Sequence, residues 1–245
     1  MSNYATSEDL ELATNTATRV PVCVCIDTSG SMAKKDDSGK SRIDRVVEGI
    51  QALYDEIRND EMALYSAEIC IIGFNTKPYV IRDFALLKDS DKSSDLPIFS
   101  SGKGDIGLGV KKGLELLEGR KQKYKDTGVE YYQPWLIIMT DGHSTGDGDV
   151  RTALAEAQKG VIELEKDKKM NVVPVYVGAN LSTDPKAQTD LGGFSKRNDI
   201  QDIGSTRFSD FFIWLGKSVS IIANEGDDQE SEHIDFSELF DWTQI

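Results

Sequence analysis

Three oxygen-bearing side chains, Asp27, Ser29 and Ser31, follow an apolar segment near the start of the chain. The apolar run over residues 20–26 predicts a buried strand that ends at the aspartate. A turn directly after the strand would aim one carboxylate and two hydroxyls at a common point. Oxygen ligands of this type suit Mg²⁺, Mn²⁺ or Ca²⁺ rather than zinc. The segment therefore predicts a cation site at the carboxyl end of a strand, where open α/β sheets place their ligands.

A later apolar run, over residues 135–140, also ends at an aspartate, in the order Thr140-Asp141-Gly142. Between the two strand ends lies a glycine-rich loop, Gly102-Lys103-Gly104-Asp105-Ile106-Gly107, directly before a predicted helix. Asp27 and Asp141 thus follow two buried strands of one predicted sheet, so their carboxylates are candidates for the same site.

The remaining elements are read from hydrophobic periodicity. Strands are predicted at residues 20–27, 67–74, 79–84, 135–140, 172–177 and, weakly, 199–203. Helices are predicted at residues 42–59, 104–125, 148–168 and 208–223. A short turn at residues 75–78 predicts an antiparallel hairpin between the second and third strands. Strands that alternate with helices indicate an α/β fold, with a mostly parallel sheet covered by helices on both faces.

Composition narrows the classes of function. The 245 residues are 39% hydrophobic and carry a net charge of −14, which suits one sizeable core and disfavours contact with nucleic acid or anionic membranes. No apolar run approaches the ~20 residues of a membrane helix, and the polar N-terminus lacks the apolar core of a signal peptide. Cys23, Cys25 and Cys70 lie in predicted strands, so we expect reduced, buried thiols in a cytoplasmic protein.

The order of these loops resembles a von Willebrand factor A (vWA) domain, and the layout is similar to the compact bacterial vWA proteins of the tellurium-resistance TerY type. The resemblance covers about residues 20–222. It implies a three-layer, Rossmann-like fold whose mostly parallel central sheet has one antiparallel edge strand. It also implies a metal-ion-dependent adhesion site (MIDAS) built from an Asp-x-Ser-x-Ser loop, a Thr loop and a Thr-Asp-Gly loop. Asp27, Ser29 and Ser31 match the first of these loops and Asp141 the third.

The second loop departs from the family pattern. Related proteins commonly read Gly-Gly-Thr-Asp-Ile-Gly, whereas Gly104 stands here at the position of the threonine ligand. Water fills that position, or Asp105 turns inward, or the metal affinity is reduced; Lys103 could also compete with the cation. The candidate metal ligands are therefore Asp27, Ser29, Ser31, Asp141 and Asp105.

The resemblance implies a protein-binding module rather than an enzyme. Two carboxylates and two hydroxyls underfill an octahedral shell, so an acidic side chain of a partner has a position to bind. The cation, Mg²⁺ or alternatively Mn²⁺ or Ca²⁺, would then bridge two proteins. The TerY resemblance implies a cytoplasmic bacterial stress or phage-defence system, with a kinase or phosphatase of that system as the kind of partner.

Enzymatic interpretations are weaker. Glycines 102, 104 and 107 satisfy the dinucleotide fingerprint, but no clear strand precedes them. An aspartyl phosphatase of the haloacid dehalogenase type needs an acid two positions after Asp27, where Ser29 stands. His143 is better explained as an exposed loop residue, without a base and nucleophile pair around it. A Mg²⁺-dependent phosphohydrolase therefore remains the least favoured alternative.

The C-terminal segment differs in composition from the rest. Residues 224–245 contain eight acidic and no Lys or Arg residues, interleaved toward the end with large apolar side chains. Such a segment is typically disordered alone and docks on a partner. The alternative function is thus a metal-independent scaffold that docks through this tail; self-association, with a tail acid at the metal, also stays open. The predicted organisation is a flexible arm (1–19), a vWA domain (20–223) and an acidic-aromatic tail (224–245).

Overall fold

A single six-stranded sheet forms the centre of the protein. The computed structural model describes residues 11–12, 14–204 and 207–225. The strands are β1 (Val20–Asp27), β2 (Ala67–Phe74), β3 (Pro78–Arg82), β4 (Trp135–Thr140), β5 (Asn171–Tyr176) and β6 (Gln201–Asp202). Their order is β3-β2-β1-β4-β5-β6, and β3 alone runs antiparallel to its neighbour. The predicted mostly parallel sheet with one antiparallel edge strand is confirmed.

Six α-helices cover both faces of the sheet in the described part of the chain. They are α1 (Arg42–Arg58), α2 (Glu61–Ser66), α3 (Ile106–Thr127), α4 (Asp149–Lys166), α5 (Pro185–Gly192) and α6 (Phe208–Glu225). Because strand side chains alternate between faces, Val22 and Val24 of β1 pack in the core with α1 and α6, while Cys23 and Cys25 face α3 and α4. β1, β2 and β4 are buried along their whole length, as their continuous apolar runs require.

Some element bounds differ from the prediction because local capping decided them. α3 begins at Ile106 rather than residue 104, since Asp105 caps it, and it continues to Thr127, two residues beyond its predicted end. Two short helices were missed: α2, capped by Asp60, and α5, capped by Asp184 with Pro185 in its first turn. The sequence analysis assigned no helix to residues 185–192, although the aspartate-proline start of α5 was the available signal.

The smaller sequence elements are also shorter than predicted. β3 ends at Arg82 rather than residue 84, and β6 is limited to Gln201–Asp202. All three cysteines are buried and free, as expected, and hydrogen bonds with Cys25 and Cys70 raise the pKa of Cys23.

A buried ion cluster closes the amino end of β1 and β2. Glu68 accepts hydrogen bonds from Arg19 Nε (3.1 Å), Arg120 Nε (2.5 Å), Arg120 Nη2 (2.7 Å) and the Tyr124 hydroxyl (2.5 Å). Arg19 also donates to the carbonyl oxygens of Asn15 and Ala17. The chain just before β1 is therefore tied to the core by the fully buried Arg19 side chain.

The predicted C-terminal tail lies outside the described residues, except for Asn224 and Glu225 at the end of α6. Among the described helices, none combines the length with the apolar composition that a membrane crossing requires.

Candidate metal centre

The first loop of the site follows β1. Asp27 is almost completely buried, and its Oδ1 accepts a hydrogen bond from the backbone N–H of Ser29 at 2.7 Å. The chain then forms the 3₁₀ turn Gly30–Ala33, and the Ser31 hydroxyl lies 2.9 Å from the Ser29 hydroxyl. The strand end and one tight turn are thus sufficient to bring the three predicted side chains together.

The third loop follows β4, which is the neighbour of β1 in the sheet. The Thr140 hydroxyl donates to Asp27 Oδ2 at 2.6 Å. One residue further, Asp141 Oδ1 accepts a hydrogen bond from the Ser31 hydroxyl at 2.8 Å. Asp27, Ser29, Ser31 and Asp141 therefore belong to one hydrogen-bonded group that presents carboxylate and hydroxyl oxygens. We refer to these four residues as the oxygen cluster.

The second loop lies against the first through the backbone. The N–H of Gly30 donates to the carbonyl of Gly102 at 3.0 Å, and the N–H of Ser101 donates to the carbonyl of Thr28 at 2.8 Å. Gly104 faces the oxygen cluster, because a Cβ atom added there would stand 3.2 Å and 3.5 Å from the two carboxylate oxygens of Asp27. The position of the family's threonine is thus beside the aspartate, without a hydroxyl.

Asp105 and Lys103 flank this glycine, and the contacts of both residues are made away from the oxygen cluster. Asp105 Oδ1 accepts a hydrogen bond from the backbone N–H of Leu108 at 3.0 Å, so the carboxylate caps α3. Burial raises the pKa of Asp105. Lys103 is exposed, and its backbone N–H donates to the Thr76 hydroxyl.

The electrostatic setting of Asp27 is unfavourable for a lone anion. Burial raises the pKa of Asp27 to about 6, and the nearby charge of Asp141 acts in the same direction. Hydrogen bonds from Thr140 and Ser29 lower the pKa but do not cancel the effect of burial. A bound cation would relieve this cost, because it supplies the opposite charge that the buried carboxylate lacks.

The donor set fits a hard cation with an incomplete protein shell. All four donors of the oxygen cluster are carboxylate or hydroxyl oxygens, which suit Mg²⁺, Mn²⁺ or Ca²⁺. Across the described part of the chain, no group of three or more His, Cys, Asp or Glu side chains is arranged to hold a metal. Two carboxylates and two hydroxyls would therefore need further oxygen ligands from water or from a partner.

Comparison with known proteins agrees with this arrangement. Residues 22–143 match the family model of the von Willebrand factor type A domain. That range contains all three loops, including Asp27, Gly104 and Asp141. The chain carries a vWA domain. A search of curated protein sequences gives no match.

Solved structures with the same fold include bacterial and animal proteins. The vWF domain of the type V pili tip protein Mfa5 from Porphyromonas gingivalis is 11% identical with a TM-score of 0.60, and the match covers 84% of this chain and 96% of that one. The pilus adhesin SpaC from Lactobacillus rhamnosus GG is 14% identical with a TM-score of 0.62, over 83% of this chain and 31% of that one. Proximal thread matrix protein 1 from the mussel byssus, with a zinc-occupied MIDAS motif, is 15% identical with a TM-score of 0.52, over 84% and 49%.

The TM-scores show that these structures share the fold of this chain, and at identities this low they show the fold alone. The chain spans about half the length of the mussel byssus protein and a third of SpaC, whereas it covers nearly all of the Mfa5 domain.

Sequence reasoning missed one charged residue of the vWA site, Arg42. Its Nη1 donates to Asp141 Oδ2 at 2.9 Å and to the Ser31 carbonyl at 3.1 Å, and its Nε donates to the Val177 carbonyl at 3.1 Å. In the sequence, Arg42 is one polar residue at the start of an amphipathic helix. Nothing in that local pattern relates it to Asp141.

Asp190 and Arg151 stabilise the third loop of the vWA site through contacts outside the oxygen cluster. Asp190 Oδ2 accepts a hydrogen bond from the Ser144 N–H at 2.9 Å, and Arg151 pairs with the same carboxylate at 2.8 Å. The Ser144 hydroxyl accepts from the Ile106 N–H at 3.1 Å, which links this loop to α3. His143 is partly exposed, and its Nδ1 lies 4.0 Å from Asp184. These contacts hold the loop without adding ligands to the oxygen cluster.

Proposed function

We propose that this vWA domain binds another protein through a divalent cation held by Asp27, Ser29, Ser31 and Asp141. The observation that carries the proposal is the oxygen cluster itself, in which two strand ends far apart in the sequence bring two carboxylates and two hydroxyls together. The Ser31 hydroxyl contacts Ser29 and Asp141, and Asp27 accepts from the Ser29 N–H and the Thr140 hydroxyl. Such a cluster at the carboxyl edge of a parallel sheet is accessible to a partner, because the Ser31 side is exposed.

The partner is proposed to present an aspartate or glutamate. When bound, the cation would supply an open coordination position that a carboxylate can occupy. Gly104 adds no hydroxyl beside Asp27, so this chain offers one oxygen fewer than the family pattern. Asp105 is proposed to order the second loop as the cap of α3; a direct contact with metal would require it to leave that cap.

The proposed cation is Mg²⁺, with Mn²⁺ or Ca²⁺ as chemically equivalent choices. The zinc in the MIDAS motif of the mussel byssus protein supports the view that this fold can hold a divalent metal at such a position. A cytoplasmic role in a bacterial stress or defence system, of the tellurium-resistance TerY type, is the proposed context. A kinase or phosphatase of that system is the proposed kind of partner.

Calorimetry with Mg²⁺ and Mn²⁺ tests the metal directly. Wild type should bind a single ion, and Asp27→Asn should lose binding, since the amide keeps the shape and can still bond Ser29 and Thr140 but carries no charge. Asp37→Asn is the matched control, because Asp37 is an exposed aspartate in the loop before α1. Equal binding by all three proteins would contradict the proposal.

A capture experiment tests the partner. Immobilised wild type in Mg²⁺ should retain proteins that are lost both in EDTA and with Asp27→Asn, while Asp37→Asn retains them. Capture that survives EDTA and Asp27→Asn would place the binding surface elsewhere. Loss of that capture on deletion of residues 226–245 would then favour docking through the acidic tail.

A further inference from the structure

Arg42 is a cation that the protein itself supplies to the oxygen cluster. It is the first residue of α1, directly after Ser41, and its guanidinium contacts three separate segments: the first loop at Ser31, the end of β4 at Asp141, and the residue after β5 at Val177. The Arg42 side chain is 11% exposed and that of Asp141 is 5% exposed. The contact is therefore an ordered, mostly buried ion pair rather than a loose surface contact.

Arg42 lies at the amino end of α1, which is an unfavourable location for a positively charged side chain. The first turn of a helix carries a partial positive charge, which disfavours a cation there. Arg42 nevertheless turns its guanidinium toward the sheet edge, where the carbonyl and carboxylate oxygens provide compensating negative charge. The ion pair with Asp141 thus outweighs the local preference.

The contacts of Arg42 fall on the residues assigned to the metal. Asp141 is one of the two carboxylates of the oxygen cluster, and Ser31 supplies one of its two hydroxyls. With Asp27 and Asp141 ionised, Arg42 reduces the net negative charge of the group from −2 to −1. A divalent cation has to share Asp141 with a guanidinium of like charge, and the two repel each other in a poorly hydrated site.

We propose that Arg42 is a built-in competitor of the divalent cation at Asp141, holding the carboxylate in the metal-free protein and weakening metal binding. This inference rests on the proposed metal site and specifies how its occupancy is controlled. The metal-free domain is then a folded state in which the charge of Asp141 is compensated, and the metal binds reversibly according to its concentration. The same contact has an opposite interpretation, in which Arg42 only orients Asp141 for the metal. The two interpretations predict opposite changes when the charge is removed.

The test compares Mn²⁺ binding by calorimetry in the full chain for wild type, Arg42→Met and Arg45→Met. Methionine keeps an unbranched apolar stem of similar reach and removes the charge. Arg45→Met removes the same charge from the same helix, but Arg45 pairs with Asp36 outside the cluster. We expect Arg42→Met to bind Mn²⁺ about tenfold or more tightly than wild type, because a like charge beside Asp141 is removed, and Arg45→Met to bind it like wild type.

Thermal unfolding provides the second measurement. In EDTA, Arg42→Met should unfold at a lower temperature than wild type, because Asp141 loses its partner. Mn²⁺ should then raise the unfolding temperature of Arg42→Met more than that of wild type. Arg42→Gln, which can still donate hydrogen bonds, repeats both measurements if the methionine variant does not fold.

The outcomes separate this inference from the proposed function. Weaker or unchanged Mn²⁺ binding by Arg42→Met, with clear binding by wild type, overturns the competitor role and leaves the metal-dependent function intact. Binding by Arg42→Met but not by wild type supports the competitor role and contradicts metal dependence of the natural chain. No binding by either folded protein overturns both.

Discussion

The two ends of β1 each carry a polar cluster, and the two clusters are built in opposite ways. At the amino end, each carboxylate oxygen of Glu68 accepts two hydrogen bonds, from Arg19, Arg120 and Tyr124. At the carboxyl end, one oxygen of Asp141 accepts from Ser31 and the other from Arg42. Among the described residues, the Glu68 carboxylate is saturated, whereas the Asp141 carboxylate keeps acceptor capacity for a cation.

The balance of charge also differs between the ends. Two arginines surround one glutamate at the amino end, and Glu11 lies 3.7 Å from Arg19. At the carboxyl end, Arg42 pairs with Asp141, while Asp27 accepts hydrogen bonds from the neutral donors Ser29 and Thr140. A saturated, balanced cluster serves to hold elements together. An undersaturated, negative cluster beside exposed backbone is suited to bind a cation, so the difference between the ends distinguishes stability from binding.

The largest effect is expected when the saturated cluster is broken. Glu68→Gln leaves Arg19 and Arg120 facing a neutral amide in a fully buried place, so the free energy of unfolding should fall by about 3–5 kcal/mol. Urea unfolding in EDTA measures the loss. Glu48→Gln is the matched control, because it breaks the exposed Lys40–Glu48 pair, which should contribute little.

Metal binding by the Glu68→Gln variant tests whether the two ends of β1 act independently. Folded Glu68→Gln should bind Mn²⁺ like wild type, since its change lies at the opposite end of the sheet. A large loss of Mn²⁺ affinity in folded protein would show that the two ends are coupled, contrary to the separation of roles.

A smaller effect is expected from the pH dependence of stability at Asp27. Because its pKa is about 6 in the folded state against 3.8 otherwise, the folded protein holds this proton more tightly than the unfolded chain. Stability relative to Asp27→Asn should therefore be highest below pH 3.8 and fall as the pH rises through about 6. The fall should amount to about 2 kcal/mol between pH 4 and pH 7 and then stay level.

Urea unfolding of both proteins in EDTA between pH 4 and pH 7 measures this difference, in which other titrating groups largely cancel. If the free energies of unfolding of wild type and Asp27→Asn change with pH in parallel, ionisation of the buried carboxylate does not destabilise the fold. Saturating Mn²⁺ should remove the fall at neutral pH, because the ionised carboxylate then has a cationic partner.

The smallest effect is expected from completing the second loop. Gly104→Thr adds a hydroxyl beside Asp27, and its Cβ requires Asp27 to shift by only a few tenths of an ångström. Mn²⁺ affinity should rise about tenfold, the scale on which a supporting oxygen tunes a metal site. Gly104→Val has the same shape without the hydroxyl and should not gain affinity. Equal Mn²⁺ affinities for the two variants would show that the threonine hydroxyl does not coordinate the metal.

Much of the fold and part of the site were predictable because their signals are local. The apolar runs that end at Asp27 and Asp141 located two sheet strands, and the short turn at residues 75–78 located the antiparallel edge. Helix α5 was missed because eight residues with little apolar periodicity carry a weak signal, although Asp184 and Pro185 mark its start.

The amino acid sequence by itself determined the oxygen donors and their place at strand ends, since a buried apolar run and the turn after it are properties of neighbouring residues. Only the tertiary structure decided what those donors contact. Arg42 meets Asp141, Thr140 meets Asp27, and Arg19 meets Glu68 across long stretches of chain. Such ion pairs depend on how helices pack on the sheet, because local propensity does not specify which distant charge a side chain will meet.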